Sequence, residues 1–494
     1  MAGYKRVLFI IPPFEFDSRL ENAKKVRTSV LLPPTSIGYL SEILTVNGIK
    51  NWVLDLHFSY SMDNVRSFIN RIKPDLVGVP ITSTYRHDLG YEVVKAVKQM
   101  SGAKIIVGGP HISITGPKIL DECVADFAVK FEGEYPLLEL CQGVNPQKIK
   151  NLIFRENNQI VENDTRDFLR NLDVLNYPRY RMFKMEYYSE IIPIISSRGC
   201  PYQCNFCTTG SMGKYFRARS AQNVVDELEY WNKKGYTTFD ILDDNFTLET
   251  KRVYEICDII EKRGLKRLNL RTSNGIRADR ANIDILRRMK QIGFRYLCFG
   301  VEAGNDKILK IIKKGESMEK IELAISNACS LGYEVGLFFM VGHPYETSKD
   351  VEDSIRLSLK YPVALAKFLN IIPYPGSDLF EWIKKNDYFI GDWHQKLAYS
   401  MHLDGEPFFA TPDMPLEERR RLMIRTTKIS IEVRKRNVKR KLRKKYGILG
   451  YMVVELMYID KIHDLLWRLY NENSAIRKLI EFSMKMLRVK VYHF

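Results

Sequence analysis

Between residues 5 and 150, short apolar runs alternate with segments whose apolar positions recur every three or four residues. The runs predict strands at 6–11, 51–56, 76–81, 104–107 and 125–129. The amphipathic segments, 35–46 and 85–100 among them, predict helices. Strands apolar at nearly every position and separated by helices belong to parallel sheets covered on both faces, so an α/β, doubly wound, Rossmann-like sheet is expected over 1–150. Ligands of such sheets bind beyond the carboxyl ends of the strands. Those ends read Pro12-Pro13-Phe14, Thr82-Ser83-Thr84-Tyr85, Gly108-Gly109-Pro110-His111 and Glu132-Gly133-Glu134.

Residues 151–190 read as a connector, with a hairpin turn at Glu156-Asn157-Asn158-Gln159 and an extended stretch through Tyr177-Pro178. The alternation then resumes on a longer period. Strands are predicted at 191–197, 238–242, 267–271, 296–301, 336–341 and 367–372, and helices at 223–234, 250–263, 283–292 and 318–331. Six parallel strands with helices outside make a partial (β/α)6 barrel over 191–400, whose functional residues should gather at the C-terminal strand ends. From 401 to 494 the pattern becomes helical and basic.

Composition changes this picture in one respect. At 494 residues the chain is too long for one core, and 45% hydrophobic with 27% charged residues is a globular balance. The net charge of +17 suggests nucleic acid until it is located: residues 417–494 hold 21 Lys/Arg against 8 Asp/Glu, so the rest is nearly neutral. The N-terminus lacks the apolar run of a signal peptide, and no run reaches the roughly 18 apolar residues of a membrane span. Eight cysteines in such a chain do not suggest a disulfide framework, so a reducing cytoplasm is expected.

Three of those cysteines, Cys200, Cys204 and Cys207, fall within Arg198-Gly199-Cys200-Pro201-Tyr202-Gln203-Cys204-Asn205-Phe206-Cys207, on a loop leaving a predicted strand. Three thiolates leave one position of a soft metal centre open. Structural cysteines, or zinc completed by a distant ligand, remain alternatives at this point. The Cys-x3-Cys-x2-Cys spacing resembles the signature of the radical S-adenosylmethionine (SAM) enzymes. That resemblance implies a [4Fe-4S] cluster on the three thiolates, SAM chelated by the fourth iron, Phe206 near the adenine, and cleavage of SAM to a 5′-deoxyadenosyl radical. It also implies a reductant such as flavodoxin or ferredoxin.

The barrel's strand ends resemble motifs of the same superfamily. Asp243-Asp244-Asn245 stands where the SAM amino group is contacted; a helix-capping cluster is the alternative reading. Glu302, in Gly300-Val301-Glu302-Ala303-Gly304, suits the ribose hydroxyls or the amino group. Gly342, in Val341-Gly342-His343-Pro344, belongs to the segment lining adenine, with His343 at a variable place. Pro375 and Gly376 resemble the Pro-Gly-Ser turn near the substrate. Arg277 could pair with a carboxylate of SAM or substrate, or form an ordinary ion pair.

Upstream, Val7-Leu8-Phe9-Ile10-Ile11-Pro12-Pro13, Ile106-Val107-Gly108-Gly109-Pro110-His111 and Glu132-Gly133-Glu134 resemble the cobalamin-binding domain that precedes the radical SAM domain in a large family. The resemblance implies cobalamin held by the strand ends, with Pro12, Thr82, Ser83, Gly108, Gly109 and Gly133 as contacts. The Asp-x-His-x-x-Gly motif that supplies a histidine to cobalt is missing. Asp55-Leu56-His57 is a fragment of it, but Tyr60 occupies the glycine position. A degenerate domain that binds nothing therefore stays open.

The expected activity is cobalamin-dependent methyl transfer to an unactivated carbon of a small-molecule or lipid substrate. The alternatives are a radical cyclase or dehydrogenase without methyl transfer, and a non-catalytic cluster protein that binds RNA or a membrane. Methylthiotransferases carry further cluster cysteines in the N-terminal domain, and the two single ones here argue against that branch. Basic clusters at 434–445, with Leu465-Leu466-Trp467 beyond, fit a peripheral helix on the inner face of an anionic membrane or a solvated helix packed on the barrel. Nucleic acid is the weaker partner, because no recognised binding module accompanies the charge.

Overall fold

The structure, a computed structural model, describes residues 3–13, 31–58, 61–209, 215–399 and 406–457. Phe14, the last residue of the first quoted strand end, and the segment 465–470 lie outside these residues. β1 (Arg6–Ile11), β2 (Lys50–Asp55), β3 (Leu76–Pro80), β4 (Lys104–Gly108) and β5 (Phe127–Val129) pair in parallel in the order β2-β1-β3-β4-β5. The order reverses between β1 and β3, the switch point at which doubly wound sheets open a ligand crevice. The turn at 156–159 forms as expected, but its strands extend this sheet: β6 (Leu152–Glu156) pairs antiparallel with β5, and β7 (Gln159–Glu162) antiparallel with β6. The segment read as a connector thus begins inside the first sheet.

A second sheet holds β8 (Ile191–Ile194), then β11 (Thr238–Ile241), β12 (Asn269–Ile276), β13 (Phe294–Glu302), β14 (Glu334–Val341) and β15 (Leu365–Asn370), all parallel in sequence order. This is the open six-stranded barrel expected. The predicted strand 191–197 breaks after Ile194. Ser197–Arg198 (β9) turns away to pair antiparallel with Arg217–Ala218 (β10), and these flank the cysteine loop. Crossover helices, and the helix after β15, start at side-chain caps: Ser220, Asn282, Asn305, Ser317 and Ser377 each accept a first-turn backbone N–H.

One apolar core runs from Val7 and Phe9 of β1 through Ile192 and Phe239 to Phe299 and Phe339 of the barrel. The two sheets are therefore joined by packing as well as by chain. The loop after β3 docks on the barrel too: Arg86 N donates to Leu397 O at 2.8 Å, and Tyr85 packs with Ile371, Leu379 and Phe408.

The helix Leu416–Met457, with Gly447 in a non-helical conformation inside it, runs along β15 and the helix Ser348–Lys360. Arg419, Leu422, Thr426 and Val433 recur at helical spacing and are buried against the barrel. Of the two sequence readings for the tail, packing of its buried face on the barrel describes this part. Among the described residues no helix is long and apolar enough to cross a membrane.

Candidate active site

The cysteine loop is tied to three strand ends. Gly199 N donates to Asp244 Oδ2 at 3.1 Å beyond β11, and Asn205 N donates to Ile312 O at 3.0 Å beyond β13. Beyond β15, Leu379 N donates to Asn205 O at 2.8 Å. Cys200, Cys204 and Cys207 are all half-buried, whereas Cys123, Cys141, Cys257 and Cys298 are buried singly and Cys329 lies alone on a helix. Burial raises the Cys200 thiol and pushes Cys204 up to about 11. The cations Lys314 and Arg277 act on Cys204 in the opposite sense. Three thiols on one anchored loop, beside fixed positive charge, fit an anionic iron–sulfur cluster as donors.

Around this loop the barrel mouth assembles several of the expected residues. Phe206 lies against His343, ring centroids 6.0 Å apart, so the aromatic of the cysteine loop meets the segment after β14. His343 is fully buried, and burial depresses its imidazole to about 3. Gly342 adopts φ 106°, and a Cβ there would lie 2.2 Å from Arg419 Cζ. Glu302, in the left-handed region at φ 68°, faces the Lys314 ammonium at 3.3 Å. Burial alone would lower Lys314, but Glu302 and Glu316 beside it more than reverse that. Pro375 and Gly376 form the turn ahead of the Ser377 cap, and neighbouring Tyr374 hydrogen-bonds Ser83 of the first domain.

Other expected residues do different work. Asp243 is buried, its Oδ1 accepting from Ser196 N at 2.6 Å and its Oδ2 from the Ser196 and Ser197 hydroxyls at 2.5 and 2.6 Å. It holds the strand leading into the cysteine loop instead of opening onto the mouth. Asp244 does open into the cleft, and desolvation there raises its carboxyl. Arg277 is buried, stacked 3.5 Å from the Tyr202 ring centroid, and donates to Asp279 and to the Lys314 and Gly315 carbonyls. Its fork is occupied within the protein.

Between the two sheets lies a mainly apolar cavity of about 430 Å³. Thr82, Gly108, Gly109 and Gly133 line one side with Phe9, Tyr39 and Phe131; Ser197, Arg198, Gly199, Thr209 and Asp244 line the other. Four of the six expected cobalamin contacts therefore share one wall. Pro12 and Ser83 are not in that wall, and the Ser83 hydroxyl instead accepts from Tyr85 N at 3.0 Å. A Cβ on Gly108 would come no closer than 3.9 Å to any atom, and on Gly133 no closer than 3.7 Å. A side chain there would project into the cavity, so the two glycines leave this wall open to close approach by a bound group, as a corrin held at the strand ends needs. His57 sits away from the wall, its Nδ1 2.7 Å from Asp55 Oδ1, and among the described residues no histidine lines the cavity.

Sequence reasoning missed Lys314, an ordinary member of a Lys-Lys-Gly run, and Arg419, hidden in the basic tail. It quoted Arg198, Glu132 and Glu134 without seeing that they meet.

The model of the radical SAM superfamily matches residues 194–358, and that of the B12 binding domain matches residues 27–141. This chain belongs to the B12-binding radical SAM enzymes. Among curated relatives of this radical SAM enzyme is an uncharacterised methyltransferase of Pyrococcus horikoshii, 29% identical over 398 residues, covering 77% of this chain and 84% of that protein. Another is the anaerobic magnesium-protoporphyrin IX monomethyl ester cyclase of Rubrivivax gelatinosus, 27% identical over 373 residues, covering 71% of this chain and 66% of that protein. Among solved structures, the cobalamin-dependent SAM radical enzyme OxsB with aqua-cobalamin and SAM bound shares the fold, with a TM-score of 0.69 at 14% identity over 98% of this chain and 75% of that one. The cofactors of the B12-binding radical SAM enzyme are a [4Fe-4S] cluster, SAM and cobalamin.

Proposed function

We propose that this enzyme transfers a methyl group to an unactivated carbon of a small molecule, with the two cofactor sites facing one cavity. The observation that carries the reading is that cavity: its walls are the strand ends of the B12-binding sheet on one side and the approach to the cysteine loop, with Asp244, on the other. Cys200, Cys204 and Cys207 would hold the cluster, which would supply reductive cleavage of SAM, and the glycine-rich wall would hold cobalamin, which would supply the methyl group. The chain's own share is placement and exclusion of water. Phe206 and the Gly342-His343 backbone would pack the adenine, Glu302 and Asp244 would receive the polar groups of SAM, and Pro375-Gly376 would border the substrate. Gly108, Gly109, Gly133 and Thr82 would let the corrin approach the sheet.

The test uses anaerobically reconstituted protein, hydroxocobalamin, a reductant and methyl-labelled SAM. Label in protein-bound cobalamin together with released 5′-deoxyadenosine is expected. Release of 5′-deoxyadenosine with no label ever reaching cobalamin would favour the cyclase or dehydrogenase reading, which the cyclase relative keeps in view. Neither product, from protein with an intact and reducible cluster, would leave a non-catalytic cluster protein.

For the tail, the proposal is peripheral contact with an anionic bilayer at the cytoplasmic face. Its support is the outward side of the C-terminal helix, where Ile424 and Ile431 are 61% and 49% exposed and a basic run follows at 434–445. Flotation with phosphatidylglycerol vesicles, absent with phosphatidylcholine and lost in Ile424→Glu/Ile431→Glu, is expected. Equal flotation of that variant, or retention by RNA in preference to vesicles, would refute it.

A further inference from the structure

Two residues before Cys200, the Arg198 guanidinium forks between both acids of the loop after β5. Nη1 donates to Glu132 Oε1 at 3.0 Å and Nη2 to Glu134 Oε1 at 2.6 Å. Arg217, paired with Arg198 across the β9–β10 ladder, donates to the same Glu132 oxygen at 2.7 Å. The other Glu132 oxygen accepts from Leu169 N at 3.1 Å. The Tyr39 ring lies under Arg198, 5.1 Å from centroid to Cζ. Glu132 and Glu134 flank Gly133, and these three residues line the interdomain cavity together with Tyr39. The wall of one cofactor site is thus held, through charge-assisted bonds, to the stem of the loop that carries the other cofactor's ligands.

Such a fork is stiff. Arg198 and Glu132 have side chains 19% and 16% exposed, and Glu134 is 7% exposed, so solvent screens the pairs weakly and losing one partner strands the other. Displacement of the Gly133 wall therefore moves Arg198, and with it Gly199 and Cys200. We propose that Arg198 is a positioning residue that couples occupancy of the cobalamin cavity to the geometry of the cysteine loop, so that each cofactor tightens the binding of the other. The proposal rests on the reading that this cavity holds cobalamin. Coupling of this kind is reciprocal and runs on the order of 5–150-fold in affinity.

The experiment is equilibrium dialysis of full-length protein against hydroxocobalamin, read as retained cobalt, with the cluster reconstituted and with iron removed. Wild type should bind cobalamin at least about 5-fold more tightly with the cluster present. In Arg198→Gln, and in the isosteric Glu134→Gln, that ratio should fall toward one, while Arg198→Lys, which retains one of the two contacts, should give an intermediate ratio. Thermal melting and iron content establish that each variant folds and takes up its cluster, and a merely structural role would weaken both affinities without changing their ratio. A wild-type ratio near one, or an undiminished ratio in folded Arg198→Gln and Glu134→Gln, overturns the coupling. No binding of cobalamin to wild type in either state is a different result: it refutes the cavity reading itself, and the coupling with it.

Discussion

Gly342 shows how one residue can hold two parts of the mouth together. Its φ of 106° is open to glycine and strained for other residues, and the space where a Cβ would stand is taken by the Arg419 guanidinium. Gly342→Ala should lose about 1–3 kcal/mol or more of stability, seen as a lower urea midpoint at unchanged slope. A second residue-scale expectation concerns His111, which stacks on His87 with centroids 4.4 Å apart and meets the Tyr91 hydroxyl at 2.8 Å, with Glu122 beyond. Burial, and then the nearby His87 and His394, depress its imidazole to about 3. The unfolded chain takes up this proton near pH 6.5 and the folded chain only near 3, so the unfolded state binds more protons between them and stability falls as pH drops through that window. His111→Gln should flatten the fall by up to about 1.4 kcal/mol per pH unit, measured as urea unfolding free energy against pH. His343, also depressed to about 3, and Glu346, raised to about 7 by burial with the opposite pH sign, remain in both proteins and cancel in the comparison.

Among the elements, the C-terminal helix turns out to be part of the barrel. Arg419 is fully buried and donates to Asn370 Oδ1 at 2.8 Å, to the Phe409 and Val341 carbonyls at 3.0 Å each, and to Ile371 O at 3.4 Å. Burial pulls the guanidinium down to about 10, and it ties the end of β14 (Val341) and the residue after β15 (Ile371) to Phe409, although Val341 O also accepts from Ile371 N at 3.1 Å. Arg419→Met should cost on the order of 3–5 kcal/mol, because it removes a fully buried donor from four acceptors at once. Thermal melting checks this, and a drop comparable to a surface substitution would show that the carbonyls find water instead. This role was not legible in the sequence: in a run of Arg419, Arg420 and Arg421, only the helix phase against β15 decides which arginine turns inward. The same limit hid Asp243, whose neighbour Asp244 has identical chemistry but faces the cleft. By contrast, 35–46 and 283–292 were legible to the residue, since apolar periodicity is a local property, as is the Asn282 cap of the second.

For the whole molecule, the cavity between the sheets is the feature on which function depends. Gly108→Leu should leave the melting temperature within a few degrees, because a Cβ there meets nothing closer than 3.9 Å, yet it should weaken cobalamin retention at least about tenfold by filling the space. Cobalt content after dialysis measures it, and unchanged retention would place cobalamin elsewhere. What the sequence by itself determined is what local chemistry and period encode: two runs of alternating strands and helices, three thiols at a spacing that accommodates one cluster, and glycines at the ends of strands. Only the tertiary structure decided that the hairpin at 156–159 finishes the first sheet and that Pro12 and Ser83 stand off the cavity wall. It alone joined Arg198 to Glu132 and Glu134 across about 65 residues of sequence. The physical reason is that a side chain's partners in a long-range contact depend on how two sheets pack, and neither sheet's periodicity contains the position of the other.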